Sequence, residues 1–474
     1  MTLEGLLARA RLALALRRAR RGAGSGWDED YPLGEIVERA LRGRGALYPR
    51  GYGSRVYGAR VGGGCPPRIP VMDYYLVLAP PAFTPGRLER MAELFREPIY
   101  SDVSLESSIG GFRVRLPVAT ASMGSTAVVA SRYSLAIARG AARAGITFAI
   151  GENVATVRGY DRRLTRGHPS FIERALAYLE ALEGPYGGLV VQQSVEDAYD
   201  ELWNRVYSDP RLDPYIEEGL LAFEIKVGQG AKPGLGGVIR IPREQAERMR
   251  RKYHLDLEPG SAYATRYSVP ATFTEDILRG MIRNMKTAYP RVRIWVKVGG
   301  MRDALDVIRV ASEEGAHAVV LDGLEGGTGM APKGALDHLG LPTLSMLAVI
   351  AEARRRGYTV DLLLAGRLYT GFHLVASMAL GASGVYLGRP LVIAAAAAGA
   401  RGVERYLESI AVEAQMLASA LGKYSLSDLS PEDVAALDPH VAEALGVRYA
   451  LKPWAPSGRG GGLAAPPERQ VEPG

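Results

Sequence analysis

The sequence predicts an α/β fold: a (β/α)8 TIM barrel with an irregular N-terminal region and a helical C-terminal tail. Three observations predict it. Short runs of strand length alternate with amphipathic helical segments eight times between residues 117 and 400. Most of these runs are apolar throughout rather than every second residue, as strands covered on both faces of a parallel sheet are. Glycine-rich segments follow the last three runs, in Asp322-Gly323-Leu324-Glu325-Gly326-Gly327-Thr328-Gly329, Gly366-Arg367-Leu368 and Gly388-Arg389-Pro390. Glycines after a strand let backbone N–H groups approach a ligand, often a phosphate.

Taken in order, Leu6 to Arg20 reads as a helix with Leu and Ala on one side and Arg on the other, ended by Gly22 to Gly26. Residues 27–116 are rich in Gly, Pro and Tyr, with one short helix over Pro85–Phe95, so residues 1–116 read as a helix and an irregular arm or domain. The barrel occupies 117–400. Its strands are expected at Pro117–Ala121, Thr147–Ile150, Leu189–Gln192, Ala222–Val227, Arg293–Val298, Ala318–Leu321, Asp361–Ala365 and Gly384–Leu387. Helices are expected at Arg132–Ala144, Phe171–Glu183, Glu196–Arg205, Glu275–Thr287, Asp303–Glu314, Thr343–Arg356, Gly371–Leu380 and Leu391–Ala398. Eight of each is the count of a TIM barrel, and about 250 residues is its usual size. Gly145, Gly315, Gly357 and Gly381 stand where helices stop, and Thr272 with Glu275 has capping-box spacing. The longest connection, Gly228 to Pro290, reads as a lid or substrate loop. A helical extension follows over 401–452, then a disordered tail over 453–474.

Composition sets limits. The chain has 474 residues, is 47% hydrophobic and carries a net charge of +7, with the excess spread diffusely as arginine and no long basic block. No basic-aromatic block argues for nucleic acid, and no apolar run is long enough to span a bilayer. With no secretory signal pattern either, the expected location is cytoplasmic. One cysteine, Cys65, leaves no internal disulfide and no cysteine cluster. The six histidines lack metal-ligand spacing, so no metal site is expected. Lysine is scarce, and Lys226, Lys232, Lys297 and Lys333 fall at strand ends or in glycine-rich segments. Where arginine is the default cation, a lysine in such a place suggests a need for a compact ammonium.

In a TIM barrel, chemistry sits at the C-terminal strand ends. Here these ends present Ser122-Met123-Gly124-Ser125, Gly151-Glu152-Asn153, Gln192-Gln193-Ser194, Gly228-Gln229-Gly230-Ala231-Lys232, Lys297, and the three glycine-rich loops. Gly366, Arg367, Gly388 and Arg389 occupy the seventh and eighth ends, where barrels commonly hold a phosphate. Glu224 and Lys226 share one face of the fourth strand, pointing inward to pair with each other or with a ligand. A structural ion pair in the barrel core explains them equally well. Lys297 shares its face with Trp295, and a cation there suits the pyrimidine end of a flavin.

Ile225-Lys226-Val227-Gly228-Gln229-Gly230-Ala231-Lys232-Pro233-Gly234-Leu235-Gly236-Gly237 resembles the segment after strand four of the FMN-binding synthase domain of glutamate synthases. Gly326-Gly327-Thr328-Gly329 is similar to that family's loop after strand six, and Gly366-Arg367-Leu368-Tyr369-Thr370-Gly371 to its loop after strand seven. Ala121 to Ser125, Gly151-Glu152 and Gln192 match its first three strand ends. The resemblance covers about Pro117 to Ala400, in a stand-alone, archaeal-like form. It implies FMN and an enzyme that reduces the imine of 2-oxoglutarate and ammonia to glutamate. It also implies an electron-donor protein, either ferredoxin-like or an iron–sulfur/flavin subunit, and leaves a homo-oligomer open. The implied catalytic residues are Glu152 and Lys226, and the substrate-binding residues are Ser125, Gln229 and Lys232. Those for the cofactor are Ser122, Met123, Gln192, Lys297, Gly327, Gly366, Arg367, Gly388 and Arg389.

The chain also departs from the family. The three cluster cysteines expected after strand eight are replaced by Leu391-Val392-Ile393 and alanines, and no glutaminase domain is expected within these residues. Leu235 stands for an acidic residue, Leu324-Glu325 for His-Asp, and Phe372-His373 for Arg-Asp. Two alternatives therefore stand beside the glutamate-synthase reading: another FMN barrel oxidoreductase or isomerase, and a flavin-binding barrel without turnover.

Overall fold

The computed structural model describes residues 10–11, 13–19, 31–48, 70–125, 128–232, 236–251, 253–257, 259–269, 271–328 and 331–453. Cys65, the ends of the first helix and the tail from 454 lie outside them. Eight parallel strands form the central sheet: β1 (Val118–Thr120), β2 (Phe148–Ile150), β3 (Leu189–Gln193), β4 (Leu221–Lys226), β5 (Arg293–Gly299), β6 (Ala318–Asp322), β7 (Asp361–Ala365) and β8 (Gly384–Leu387). Each pairs with its neighbour in chain order, β8 pairs with β1, and bridges at Ala119–Thr147 and Met123–Ile150 bring β2 to β1 and close the ring. The α/β barrel expected from the sequence is the fold observed.

The apolar strands divide into two buried sets. Residues such as Phe148, Val191, Phe223, Val296, Leu321 and Leu364 face outward into one large core with the surrounding helices. Ala119, Ala149, Val190, Ala222, Trp295, Val320, Leu363 and Tyr386 face inward into a second cluster. Period-two geometry sends alternate residues to opposite faces, and both faces are dry, so the strands read as continuous apolar runs. The inner set is rich in alanine, which leaves room for the large Trp295.

A hairpin, Ser107–Ile109 and Phe112–Val114, plugs the end of the barrel where the strands begin. The Trp295 indole N–H donates to Gly110 O at 3.0 Å. Gly110 has φ +55°, and a Cβ there would meet the indole at 2.2 Å, so this turn requires glycine. The N-terminal region expected to be irregular therefore supplies part of the core.

Several element boundaries differ from expectation. The third helical segment is split into Val195–Tyr199 and Leu202–Tyr207, with Glu201 between them at φ +52°. The helix over Glu275–Ala288 is capped by Thr274, whose hydroxyl accepts from Ile277 N, rather than by Thr272. The loop after β4 carries its own antiparallel sheet of Val238–Pro242, Tyr263–Tyr267 and His254–Asp256. The last barrel helix ends at Ala398 as expected, but Ala398 and Gly399 form only a kink, and a second helix continues from it to Ala420. Together the two pack on the helices Val128–Ala144 and Leu33–Arg42. Leu76–Leu78 pairs with Val434–Ala436, so the arm and the C-terminal extension share a sheet. The buried Arg39 guanidinium holds Glu413 at 2.7 Å and ties the same two regions together. Among the described residues, no helix is long and apolar enough to cross a membrane, and no group of three or more His, Cys, Asp or Glu is placed to hold a metal ion.

Candidate active site

The strand ends converge in two polar layers. The deeper one centres on Glu224, which is fully buried. Its Oε1 accepts from Ser122 Oγ at 2.6 Å and Gln192 Nε2 at 2.5 Å, and its Oε2 accepts from Tyr386 Oη at 3.1 Å. Burial pushes this carboxyl above its usual range, opposed by Lys297 and the three hydrogen bonds. Gln192 sits beside Glu224 in the β3–β4 register. Its amide nitrogen is committed to Glu224, and its buried Oε1 has no partner. Lys297 Nζ lies 3.2 Å from Asp322 Oδ2 and 5.3 Å from the Tyr386 ring centre. Burial opposes the Lys297 charge, but Asp322 and Glu224 outweigh it and hold the ammonium above its usual value.

The upper layer is a charged trio. Lys226, at the last residue of β4, forms an ion pair with Glu152 Oε1, and Lys232 Nζ reaches the same oxygen at 3.3 Å. Glu224 and Lys226 therefore share a face but do not pair with each other. They lie two residues apart along the strand, and each finds its partner at its own level. Burial pulls the Lys226 ammonium down to about 7, against the pull of Glu152 and with repulsion from Lys232 and Lys297. Glu152 is held down, at about 2, because the two ammonium groups overcome its burial. Asn153, at φ +62°, turns the chain after Glu152; its N–H is fixed by Asp197 Oδ2 at 2.6 Å.

The loops pack backbone on backbone around these groups. A Cβ on Gly151 would meet Ser122 O at 2.3 Å, and one on Gly124 would meet Glu152 O at 2.6 Å. Met123 bridges to Ile150, and Ser125 N donates to Glu152 O at 3.0 Å. Ser125 is buried with its hydroxyl unpartnered, and its carbonyl accepts from Arg158 at 2.6 Å. The loop after β4 crosses the mouth: Gln229 lies against Gly299 of β5, and Gly230 against Gly327 after β6.

Gly366, Arg367, Gly388 and Arg389 form one corner at the ends of β7 and β8. Gly366 has φ +151°, and a Cβ there would come within 1.9 Å of Thr343 Oγ1. Arg389 donates to Glu325 O and lies over the Tyr31 ring at 4.6 Å. Arg367 lies 3.6 Å from Asp73 Oδ2, which also accepts from Tyr369 Oη at 2.8 Å. Tyr31 and Asp73 come from the N-terminal arm, and sequence reasoning missed both because no motif marks them. It also missed Tyr386 and Asp322, although inward-facing polar residues on apolar strands carry a signal. A separate cavity of about 190 Å³ opens beside Glu152, Lys226 and Lys232, between the ends of β3 and β4 and the long β4 loop.

Fold and site define an α/β barrel with a glycine-lined mouth around buried lysines. Residues 213–403 match the family described as the conserved region in glutamate synthase. It is similar to the archaeal glutamate synthase [NADPH] of Methanocaldococcus jannaschii, 29% identical over 246 residues, covering 51% of this chain and 44% of that one. The corresponding protein of Archaeoglobus fulgidus is 32% identical over 187 residues, covering 39% and 36%. The chain thus spans about half or less of the length of these two relatives. Among solved structures, a flavocytochrome b2 variant with sulfite bound superposes with a TM-score of 0.50 at 18% identity, covering 82% of this chain and 79% of that one; this likeness is one of fold.

Proposed function

We propose that this chain is an FMN-dependent oxidoreductase of the glutamate-synthase type, reducing the imine of a 2-oxo acid and ammonia. The reaction of that type makes glutamate from 2-oxoglutarate. The observation that carries the reading is the trio in which Glu152 holds Lys226 and Lys232 at the mouth of a barrel lined by glycine loops. A degenerate barrel has no use for two lysines held so.

The residues present fit a flavin mononucleotide. Gln192 offers a buried, unpartnered carbonyl whose orientation Glu224 fixes. Lys297 supplies a buried cation. Gly366 and Gly388 with Arg367 and Arg389 suit a phosphate, and Ser122, Met123 and Gly327 lie on the bordering loops. A bound, reduced flavin supplies a hydride equivalent to the imine carbon.

The chain's own residues do the rest. Lys226 and Lys232 take the carboxylate next to the reacting carbon, with Ser125 and Gln229 as neighbouring hydrogen-bonding groups. Glu152, held ionised, positions both lysines and is unsuited to give up a proton near neutrality. Lys226 Nζ, with its ammonium near 7, is the group poised to give a proton to the imine nitrogen. In balance, the oxo acid and ammonia lose water, and the imine then takes two electrons and two protons. The electrons come from a separate donor protein, ferredoxin-like or an iron–sulfur/flavin subunit. The same reading divides the chain into an arm (1–116), the FMN barrel (117–400), a helical extension (401–452) and a tail (453–474).

The test is reconstitution with FMN, followed by anaerobic reduction and mixing with a panel of 2-oxo acids plus ammonia. Flavin absorbance that returns on adding an acid and ammonia together supports the reading. Protein that takes up no FMN refutes it.

A further inference from the structure

The 190 Å³ cavity beside the trio has one cationic end and a largely apolar wall. Glu152, Lys226 and Lys232 form the charged end. Trp203, Ile225, Val227, Phe273 and Met281 give the wall its apolar part, Gln193, Ser194 and Ser268 add neutral polar groups, and Glu196 also lines it. Trp203 stacks on the outward-facing Phe223, and Met281 lies on the helix outside the sheet. The cavity therefore runs from the barrel mouth outward between β3 and β4. The glutamate-synthase reading by itself asks for two anionic subsites, because 2-oxoglutarate carries two carboxylates.

The cavity offers one. Both ammonium groups meet the same oxygen of Glu152, so they form a single cationic pole. Among the described residues that line it, Lys226 and Lys232 are the only cations and no arginine appears. Beyond that pole the charged group is Glu196, 3% exposed, whose Oε1 is fixed by the N–H of Val269 at 3.0 Å. A carboxylate pushed along this cavity would leave water to meet a like charge and no second cation, with only neutral groups such as the Ser268 hydroxyl to receive it, which disfavours it. An apolar side chain in the same place would be removed from water against matching surface. The volume lies below that of pockets for drug-sized ligands, about 300–1,000 Å³, and suits an acid with a side chain of a few carbons.

We infer that the cavity selects a 2-oxo acid with an uncharged, apolar side chain, its carboxylate at Lys226 and Lys232, and discriminates against 2-oxoglutarate. This rests on the proposed reading and narrows its substrate class; the chemistry and its electron balance are unchanged.

The experiment uses the full chain reconstituted with FMN. Binding of 2-oxoglutarate, 4-methyl-2-oxopentanoate and phenylpyruvate is followed by perturbation of the flavin spectrum, and turnover by reoxidation with ammonia. The expected result is at least tenfold tighter binding of one of the apolar acids than of 2-oxoglutarate. Glu196→Gln keeps the acceptor for Val269 N and removes the like charge, so it should shift the ratio about tenfold toward 2-oxoglutarate. FMN content and melting temperature report whether that variant folds. Preference for 2-oxoglutarate, or a Glu196→Gln ratio equal to that of the unaltered chain, overturns the inference and leaves the FMN reading standing. Bound FMN with no response to any 2-oxo acid overturns both.

Discussion

Replacing Lys226 by Met separates a working ammonium from a structural one. The side chains are similar in length, so packing is nearly kept. Burial has moved the Lys226 ammonium from about 10.4 in solution to about 7. At about 1.36 kcal/mol per pH unit, this net shift, which already contains the pull of Glu152, corresponds to about 4 kcal/mol of destabilisation at neutral pH. Met removes that cost, and Glu152 keeps Lys232 at 3.3 Å, so the variant should melt no lower than the unaltered chain. Binding of a 2-oxo acid, by contrast, loses a charge-assisted hydrogen bond of about 1.5–3 kcal/mol, or about 10–150-fold in affinity. Differential scanning fluorimetry, FMN content and flavin reoxidation by a 2-oxo acid with ammonia measure the three quantities. If Lys226→Met loses its flavin or melts more than about ten degrees lower while Gln229→Ala is fully active, the β4 segment is structural and the reasoning fails.

Carboxylate binding should weaken as pH rises through about 7, because Lys226 then loses its proton; titration of the flavin perturbation from pH 6 to 9 checks this. The same group moves stability the other way. Between about 7 and about 10.4 the unfolded chain holds more protons at this site, so its contribution to stability rises with pH. Gly366→Ala puts a Cβ 1.9 Å from Thr343 Oγ1 at φ +151°, so FMN affinity should fall at least tenfold, as read by fluorescence on titrating FMN. Deleting Met1 to Gly24 removes a basic segment suited to an acidic ferredoxin-like donor; stopped-flow reduction should become slower and less dependent on salt, and equal rates at all ionic strengths would remove the segment from the account.

The barrel was legible because its strands are dry on both faces and all but β3 are soon followed by glycine. The plug was not: Ile109, Phe112 and Val114 alternate over too few residues to signal a hairpin, and their core partner Trp295 is far away in the chain. The split of the third helix turns on Glu201 at φ +52°, a conformation no sequence pattern announces for Glu. Strand-end residues could be named because a barrel fixes which end carries chemistry, and the alternation Glu224-Ile225-Lys226 fixes which side chains point inward. Their partners could not be named. Tyr31 and Asp73, which stand over Arg389 and Arg367, come from a region with no periodic pattern and reach the site only through the tertiary fold.

The arrangement of charge inside the mouth follows from register. Strands β4 and β5 pair with Lys226 beside Lys297, two buried ammonium groups side by side. Neither can serve as the other's partner, so each must find a carboxylate on its far flank. Lys297 turns to Asp322 of β6, and Lys226 turns to Glu152 after β2. Glu224, one level deeper and nearest in charge to Lys297, is then left to hydroxyl and amide donors, and its level becomes a hydrogen-bonded network rather than an ion pair. The outcome is unequal. Lys297, between Asp322 and Glu224, is held above its usual value despite burial, whereas at Lys226 burial, helped by two like charges, outweighs Glu152 and brings the ammonium down to about 7. One register thus yields a lysine that stays charged deep in the mouth and another, at the cavity, that can exchange its proton near neutral pH. A permanent cation suits a group that becomes an anion on reduction, and an exchangeable one suits a substrate that must gain a proton as it is reduced.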